Sequence, residues 1–273
     1  MILRSLLKFI SDAFVSLKEM FWTLGIVGKH WIRVLPGYRY RFLHFGDVTK
    51  LLYAHQHLVP FRKSFEYSTL NRFVSLLKPG DRVLDIGANV GLYSLLGSQV
   101  VGSSGRIFAF EPNPKTFGVL LQNLEFNGCV NVNCAQIALS NRSGKVSLAI
   151  PDEVQAKYAY GDSYLSMYPE ESKNKGLGGV TCMELDVFLK ENGVDFVDII
   201  KIDVEGAEML CFEGAKLLLS GSSKPVIIME CDEVLCRRFG YSVFDTLKFL
   251  DGFGYVFEQF DVHQWIAIPK ASN

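Results

Sequence analysis

Apolar residues at Leu3, Leu7, Ile10, Phe14, Leu17, Phe21 and Leu24 step by four and three, the period of one helical face. Leu6, Ala13 and Met20 widen the stripe, while Arg4, Ser5, Lys8, Asp12, Ser16 and Glu19 lie mostly away from it. A stripe this wide suits a core-facing or partner-facing helix better than a narrow coiled-coil seam. Trp22, Lys18 and Arg4 at its flanks also suit a helix lying on a membrane surface. The arm is therefore expected to pack on its own domain, mediate oligomerisation or make peripheral membrane contact. Gly25, Gly28 and Pro36-Gly37 end the pattern, and the aromatic, basic stretch 38–62 predicts short strands leading to Pro60.

From residue 63 short apolar runs alternate with helical patterns, which predicts an α/β fold on a mostly parallel, doubly wound sheet. Strands are expected at 82–86, 106–110, 130–139, 197–202 and 225–229. Helices are expected at 64–77, from Gly91, and at 114–127. Residues 145–150 read as a β extension, and 255–260 with 264–268 as an antiparallel terminal hairpin. Between them, 151–179 is polar and glycine-rich, and a loop that long is usually functional or disordered. Its Tyr158, Tyr160, Tyr164 and Tyr168 either stack on an acceptor or pack a lid. Two domains result: a helix and basic arm over 1–62, and a ligand-binding domain over 63–273.

Charge sharpens that division. Residues 1–63 carry ten Lys/Arg against three Asp/Glu, whereas the other 210 carry eighteen against twenty-six. The basic arm either meets an anionic partner or docks on its own acidic domain. An acidic domain without a basic, aromatic-laced patch argues against a nucleic-acid acceptor. The six cysteines (129, 134, 182, 211, 231 and 236) show no C-x-x-C and no paired spacing, as in reduced thiols of a cytoplasmic protein. No eighteen-residue apolar run is present, so no spanning helix is expected. Lys8, Asp12 and Lys18-Glu19 interrupt the apolar N-terminus, against a signal peptide.

The chemistry begins where the first buried strand runs into a glycine turn, VLDIGANVGLYSLL over 83–96, with Glu111 ending the next strand. A carboxylate there can accept both hydroxyls of a ribose. A pyrophosphate would want G-x-G-x-x-G at a helix N-terminus. The spacing here is Gly87-x-x-x-Gly91, with Asp85 two residues before the turn. Acidic and amide groups there favour a cofactor bearing an ammonium and a sulfonium, S-adenosylmethionine (SAM), over a dinucleotide. A NAD(P)-dependent oxidoreductase on a similar sheet, or a non-catalytic binding or scaffold module, are the alternatives.

GANVGLYS, FEPNP, IALSNRSGKVSL, LDVFL and above all IKIDVEGAEMLCFEGA (200–215) resemble the FkbM family of SAM-dependent methyltransferases. The resemblance covers roughly 63–260. It implies a class I methyltransferase, Rossmann-like sheet and methyl transfer to oxygen, often a hydroxyl of a sugar or natural product. It also implies that Asp85, Gly87, Asn89 and Gly91 form the wall against the methionine part. Glu111 takes the ribose diol, and Asn113 with Ala138 faces the adenine. Asn113 alternatively caps the helix starting at Pro114.

An alcohol acceptor must lose a proton, and a positioned base contributes about 10²–10⁴-fold. Ligands of open α/β sheets bind at the carboxyl ends of the strands. Asp203 is the first candidate there, Glu230 the second and Glu205 the third. Glu205-Gly206 is expected to start the following helix, and Glu208 to lie on that helix's surface. Lys201 either neutralises an acid or faces outward. Asp203, Glu230 and Asp232 are the set that would gather Mg²⁺ if the enzyme uses one. His55-x-His57 lacks the further ligands zinc would want, and His44, His55 or His57 is either a base, if the arm folds over the cleft, or a solvated loop histidine.

Overall fold

The computed structural model describes residues 38–45, 48–55, 65–149, 164–166 and 177–270. The N-terminal apolar stripe, Tyr158, Tyr160 and Tyr168 lie outside them. Tyr38–Phe45 (β1) and Val48–His55 (β2) form an antiparallel hairpin, the short strands that the arm predicts.

The sheet that positions the site follows. Helix α1 (Phe65–Leu76) leads into β3 (Arg82–Ile86), α2 (Leu92–Val101), β4 (Arg106–Phe110), α3 (Pro114–Phe126) and β5 (Val132–Ala135). A second layer of strands comes next: β6 (Ala138–Leu139), β7 (Gly144–Ala149), β8 (Tyr164–Ser166) and β9 (Leu177–Met183). The chain returns through α4 (Leu185–Glu191), β10 (Ile199–Ile202), α5 (Glu208–Glu213), α6 (Lys216–Ser220) and β11 (Val226–Glu230). It ends with α7 (Glu233–Arg237), α8 (Val243–Asp251), β12 (Tyr255–Gln259) and β13 (Gln264–Pro269).

The main sheet has the order β12-β13-β11-β10-β3-β4-β5. Strands β5, β4, β3, β10 and β11 pair in parallel, and β13 inserts antiparallel between β11 and β12. After β3 the chain moves outward to β4 and β5, then comes back to lay β10 on the other side of β3. That reversal opens a crevice at the carboxyl ends of β3 and β10, where doubly wound sheets bind ligands.

Both faces of the sheet are buried, so its strands read as continuous apolar runs. Val83, Ile107, Ala109 and Ile199 pack with Leu70, Phe73, Leu95 and Leu120 on one side. Leu84, Ile86, Phe108, Phe110, Ile200 and Ile202 pack with Leu189, Phe212 and Leu250 on the other. Strand alternation then puts two polar residues on the first face. Asp85 and Lys201 stand directly opposite each other in the β3–β10 register, beneath α2.

Three expectations need correction. The strand expected over 130–139 is broken, because its pairing with β4 runs only over Val132–Ala135. Ala138–Leu139 leaves to pair with β9 in a separate sheet, β6-β9-β7-β8. The loop expected to reach residue 179 ends sooner, since β9 begins at Leu177 and pairs with β7. The helix after β10 starts at Glu208 rather than at Glu205-Gly206. Glu205 instead adopts a left-handed backbone, φ 56°, inside the preceding turn.

Candidate active site

A cavity of about 600 Å³, part of it open solvent, lies at the carboxyl ends of β3, β4 and β10. Its floor is Ile86 and Gly87, one wall is Asn89, Glu111 and Pro112, and the opposite wall is Asp203, Val204 and Glu205. Phe110, Ile137, Ala138, Leu139 and Leu148 line an apolar end. Leu148 comes from β7, so the second sheet covers the side where Ala138 leaves the first.

The turn brings its backbone close to β10. Gly87 has φ 79°, and a Cβ there would lie 1.9 Å from the Asp203 carbonyl oxygen. No side chain fits. Gly91 also has a positive φ, but a Cβ there would meet Leu120 Cδ1 at 2.6 Å. Gly91 thus lets α3 pack against the turn and is not on the cavity wall.

Glu111 is buried, and its carboxylate is fixed by two backbone donors. Asn113 N–H donates to Oε1 at 2.8 Å and Asn89 N–H to Oε2 at 3.0 Å. Each oxygen keeps acceptor capacity for a ligand hydroxyl. Burial raises the carboxyl to about 7, against the lowering effect of those hydrogen bonds. Asn89, left-handed at φ 50°, holds a buried Oδ1 with no protein partner on the same wall. An orphaned acceptor there fits a ligand that donates.

Asn113 and Asp85 stand elsewhere. The Asn113 side chain accepts from Lys115 N–H at 3.0 Å and caps α3, with Pro114 in the first turn. Asp85 is fully buried beneath the cavity and accepts from Ser94 Oγ at 2.5 Å. Burial pushes its carboxyl up, against the pull of Lys201.

Lys201 settles between the two alternatives the sequence left open. It is buried, 3.3 Å from Asp203 Oδ2 and 4.5 Å above the Tyr93 ring. Burial opposes its charge, yet Asp203, then Asp85 and Glu230, outweigh that and hold the ammonium above the usual lysine range. One strand over, Glu230 Oε2 accepts from Gln264 Nε2 at 2.8 Å. Burial first, then the Asp203 carboxylate, pushes Glu230 up to about 8.

Glu208 is not on a helix surface. It is 1% exposed, and its Oε1 accepts from Val204 N–H at 3.1 Å and Gly206 N–H at 3.2 Å. It therefore ties the loop bearing Asp203 and Glu205 to α5. Helical spacing alone misplaced it; the glycine turn before it, which lets a side chain fold back on its own loop, was the available signal.

Asp203, Glu230 and Asp232 do not gather. Asp232 caps α7 through Val234 and Leu235 N–H and lies 3.1 Å from His263 Nδ1. Among the described residues, the ligand atoms of these three acids are not all within 4.8 Å of one another. All six cysteines are free, and Cys231 and Cys236 place their sulfurs 3.5 Å apart, a proximity that spacing along the chain did not suggest.

Fold and cavity together define a doubly wound α/β protein with a crevice at the topological switch point of its sheet, the place where such sheets bind ligands. The family described as Methyltransferase FkbM domain matches residues 85–257, well over half of the chain. The chain belongs to that family. It is similar to methyltransferase sdnD of Sordaria araneosa, 28% identical over 48% of this chain and 59% of the relative. It is similar to 2-O-methyltransferase NoeI of Sinorhizobium fredii, 27% identical over 55% and 63%. It is also similar to 31-O-demethyl-FK506 methyltransferase FkbM of Streptomyces tacrolimicus, 26% identical over 51% and 61%. The chain thus spans less than two thirds of the length of these relatives.

Proposed function

We propose that the protein is a SAM-dependent O-methyltransferase acting on a hydroxyl of a sugar-containing or natural-product acceptor. The observation that carries this reading is Glu111, buried on the cavity wall and aimed by two backbone N–H groups. Such a pre-oriented carboxylate can accept one hydroxyl of a vicinal diol on each oxygen. Asn89, with its orphaned Oδ1, would hold the polar end of the cofactor. Ala138, Leu139, Leu148 and Phe110 would enclose the base. Bound there, SAM supplies an electrophilic methyl group.

The chain's own part is to align the acceptor and handle its proton. Alignment provides much of the acceleration of such a displacement. Asp203 lies on the wall opposite Glu111 and is the group proposed to receive the hydroxyl proton. The relatives whose names specify oxygen as the methylated atom support a hydroxyl acceptor. The acidic character of the domain supports a small-molecule or glycan acceptor over nucleic acid. Free thiols fit a cytoplasmic setting, and the N-terminal stripe fits oligomer or peripheral membrane contact. Among the described residues no helix is long and apolar enough to cross a membrane.

The experiment is incubation with methyl-labelled SAM against a panel of glycans, nucleotide sugars and hydroxylated natural products, with and without chelator. Alkali-stable label on an acceptor oxygen is the expected result. Label found on nitrogen or carbon, or on no acceptor while SAM binds, would overturn the reading.

A further inference from the structure

We propose that Glu208, Cys231 and Cys236 form a binding site for a thiophilic divalent cation, Zn²⁺ foremost, set behind the loop that carries Asp203. Two thiolates and one carboxylate are its ligands, and the bound ion clamps β11, α5 and α7 together. The site stands apart from the cavity and does not depend on the methyl-transfer reading.

Three separate stretches of chain deliver the ligands. Cys231 follows β11, Cys236 lies on α7 and Glu208 opens α5. A carboxylate oxygen of Glu208 and the two sulfurs all lie within 4.8 Å of one another. The sulfurs are 3.5 Å apart, and both thiols are free. Two sulfurs bound to one tetrahedral zinc at about 2.3 Å stand about 3.8 Å apart, so the pair already has nearly that spacing. A disulfide would need about 2.05 Å and a larger shift. Backbone bonds hold the pair in place. Cys231 N–H donates to the His263 carbonyl at 2.8 Å, and Cys236 N–H to the Asp232 carbonyl at 2.9 Å.

The Glu208 carboxylate is left half satisfied. Its Oε1 is taken by the N–H groups of Val204 and Gly206, whereas Oε2 is buried and has no hydrogen-bond partner. A buried oxygen without a donor is costly, and a cation shared with the sulfurs would satisfy it. All three residues are at most 2% exposed, as in closed structural metal sites. Thiolate and carboxylate together select a borderline-soft ion over Mg²⁺ or Ca²⁺, and the fourth position is left to water. Thr246, buried on α8, hydrogen-bonds the Cys231 sulfur and orients it from behind. A Cβ on Gly206 would lie 2.4 Å from the Leu235 carbonyl, so α7 rests directly on the loop that the clamp would hold. Binding releases the thiol protons to solvent and leaves every oxidation state unchanged.

The test uses the full chain, reduced and stripped with chelator. It is titrated with Zn²⁺ against a chromophoric zinc indicator, and with Cd²⁺ read by its thiolate charge-transfer band. One ion held per chain is expected. Cys231→Ala and Cys236→Ala should each weaken Zn²⁺ binding by more than about a hundredfold, beyond the loss typical of a residue outside the coordination shell. Cys129→Ala with Cys134→Ala should leave it unchanged. Glu208→Gln, which keeps an acceptor for the two N–H groups, should weaken binding about tenfold or more. X-ray absorption at the zinc edge needs no variant, and should show two sulfur neighbours at about 2.3 Å with oxygen completing the shell. No ion retained against the indicator, a shell without sulfur or with more than two, or undiminished binding in Cys231→Ala would overturn the proposal. Methyl transfer enters none of these readouts, so this proposal and the proposed function fail separately.

Discussion

Glu208 reaches back four residues to accept the N–H of Val204 at 3.1 Å, fastening α5 to the turn that carries Asp203 and Glu205. Through this bond and its partner at Gly206, a buried carboxylate sets the shape of one cavity wall. Glu208→Ala leaves two inward N–H groups without an acceptor and is expected to cost about 2–4 kcal/mol in urea unfolding. Glu208→Gln keeps an acceptor oxygen and should cost distinctly less. Equal losses in the two variants would deny the bond its role.

Burial raises Glu111 and Glu208 to about 7 and Glu230 to about 8. A carboxyl whose folded value exceeds its unfolded one binds its proton more tightly in the fold. Its contribution is complete below the ordinary carboxylate range and is lost as pH rises through the folded value. These three groups therefore lower stability progressively between about pH 4.5 and 8. Urea midpoints are expected to be higher near pH 5.5 than at pH 8.5, and Glu208→Gln should flatten the slope. Midpoints rising steadily over that interval would show that these acids are not held as described.

If Glu111 holds the cofactor as proposed, it also sets the pH dependence of cofactor affinity. Ribose hydroxyls donate to the ionised form, so binding must drive off a proton below about pH 7. Affinity for S-adenosylhomocysteine should fall towards tenfold per unit as pH drops further below that value, and Glu111→Gln should lose this dependence. Calorimetry in buffers of different ionisation enthalpy would count the proton; none released at pH 6 would contradict the assignment.

Gly87 has φ 79° and leaves no room for a Cβ beside the Asp203 carbonyl. Gly87→Ala must either strain the turn or push β10 from β3, and is expected to cost more than about 2 kcal/mol and to abolish cofactor binding. Asp203→Ala, in contrast, should leave S-adenosylhomocysteine affinity nearly unchanged and reduce methyl transfer about 10²–10⁴-fold. Retained turnover would remove Asp203 from the chemistry.

The fold was legible where burial is symmetric. Strands 82–86 and 106–110 carry apolar residues on both faces, and their ends coincide with the observed β3 and β4. The terminal hairpin was legible because Asp261-Val262-His263 interrupts two alternating runs. The break of the third strand was not, since Ala135 and Ala138 both read as strand while belonging to different sheets. Nothing in a one-dimensional pattern shows where a chain changes partners.

The candidate site divides in the same way. Gly87 and Glu111 were legible because a positive-φ turn and a strand-end acid leave local marks. Lys201 was ambiguous, because its burial depends on Asp85, a partner more than a hundred residues away in the chain. Glu208 was misplaced because helical spacing says nothing about a side chain folding back on its own loop. Asp85, Gly91 and Asn113 lie near the cavity but serve the turn, the helix packing and the cap.

The proposed function requires the crevice over β3 and β4 to receive an adenosyl sulfonium cofactor through Glu111. Isothermal titration of ligand-stripped protein with S-adenosylhomocysteine tests it most directly. Saturable one-site heat that Glu111→Ala weakens by about tenfold or more is the predicted result. Absence of that heat, together with saturable uptake of a pyridine dinucleotide, would rule out a methyltransferase crevice.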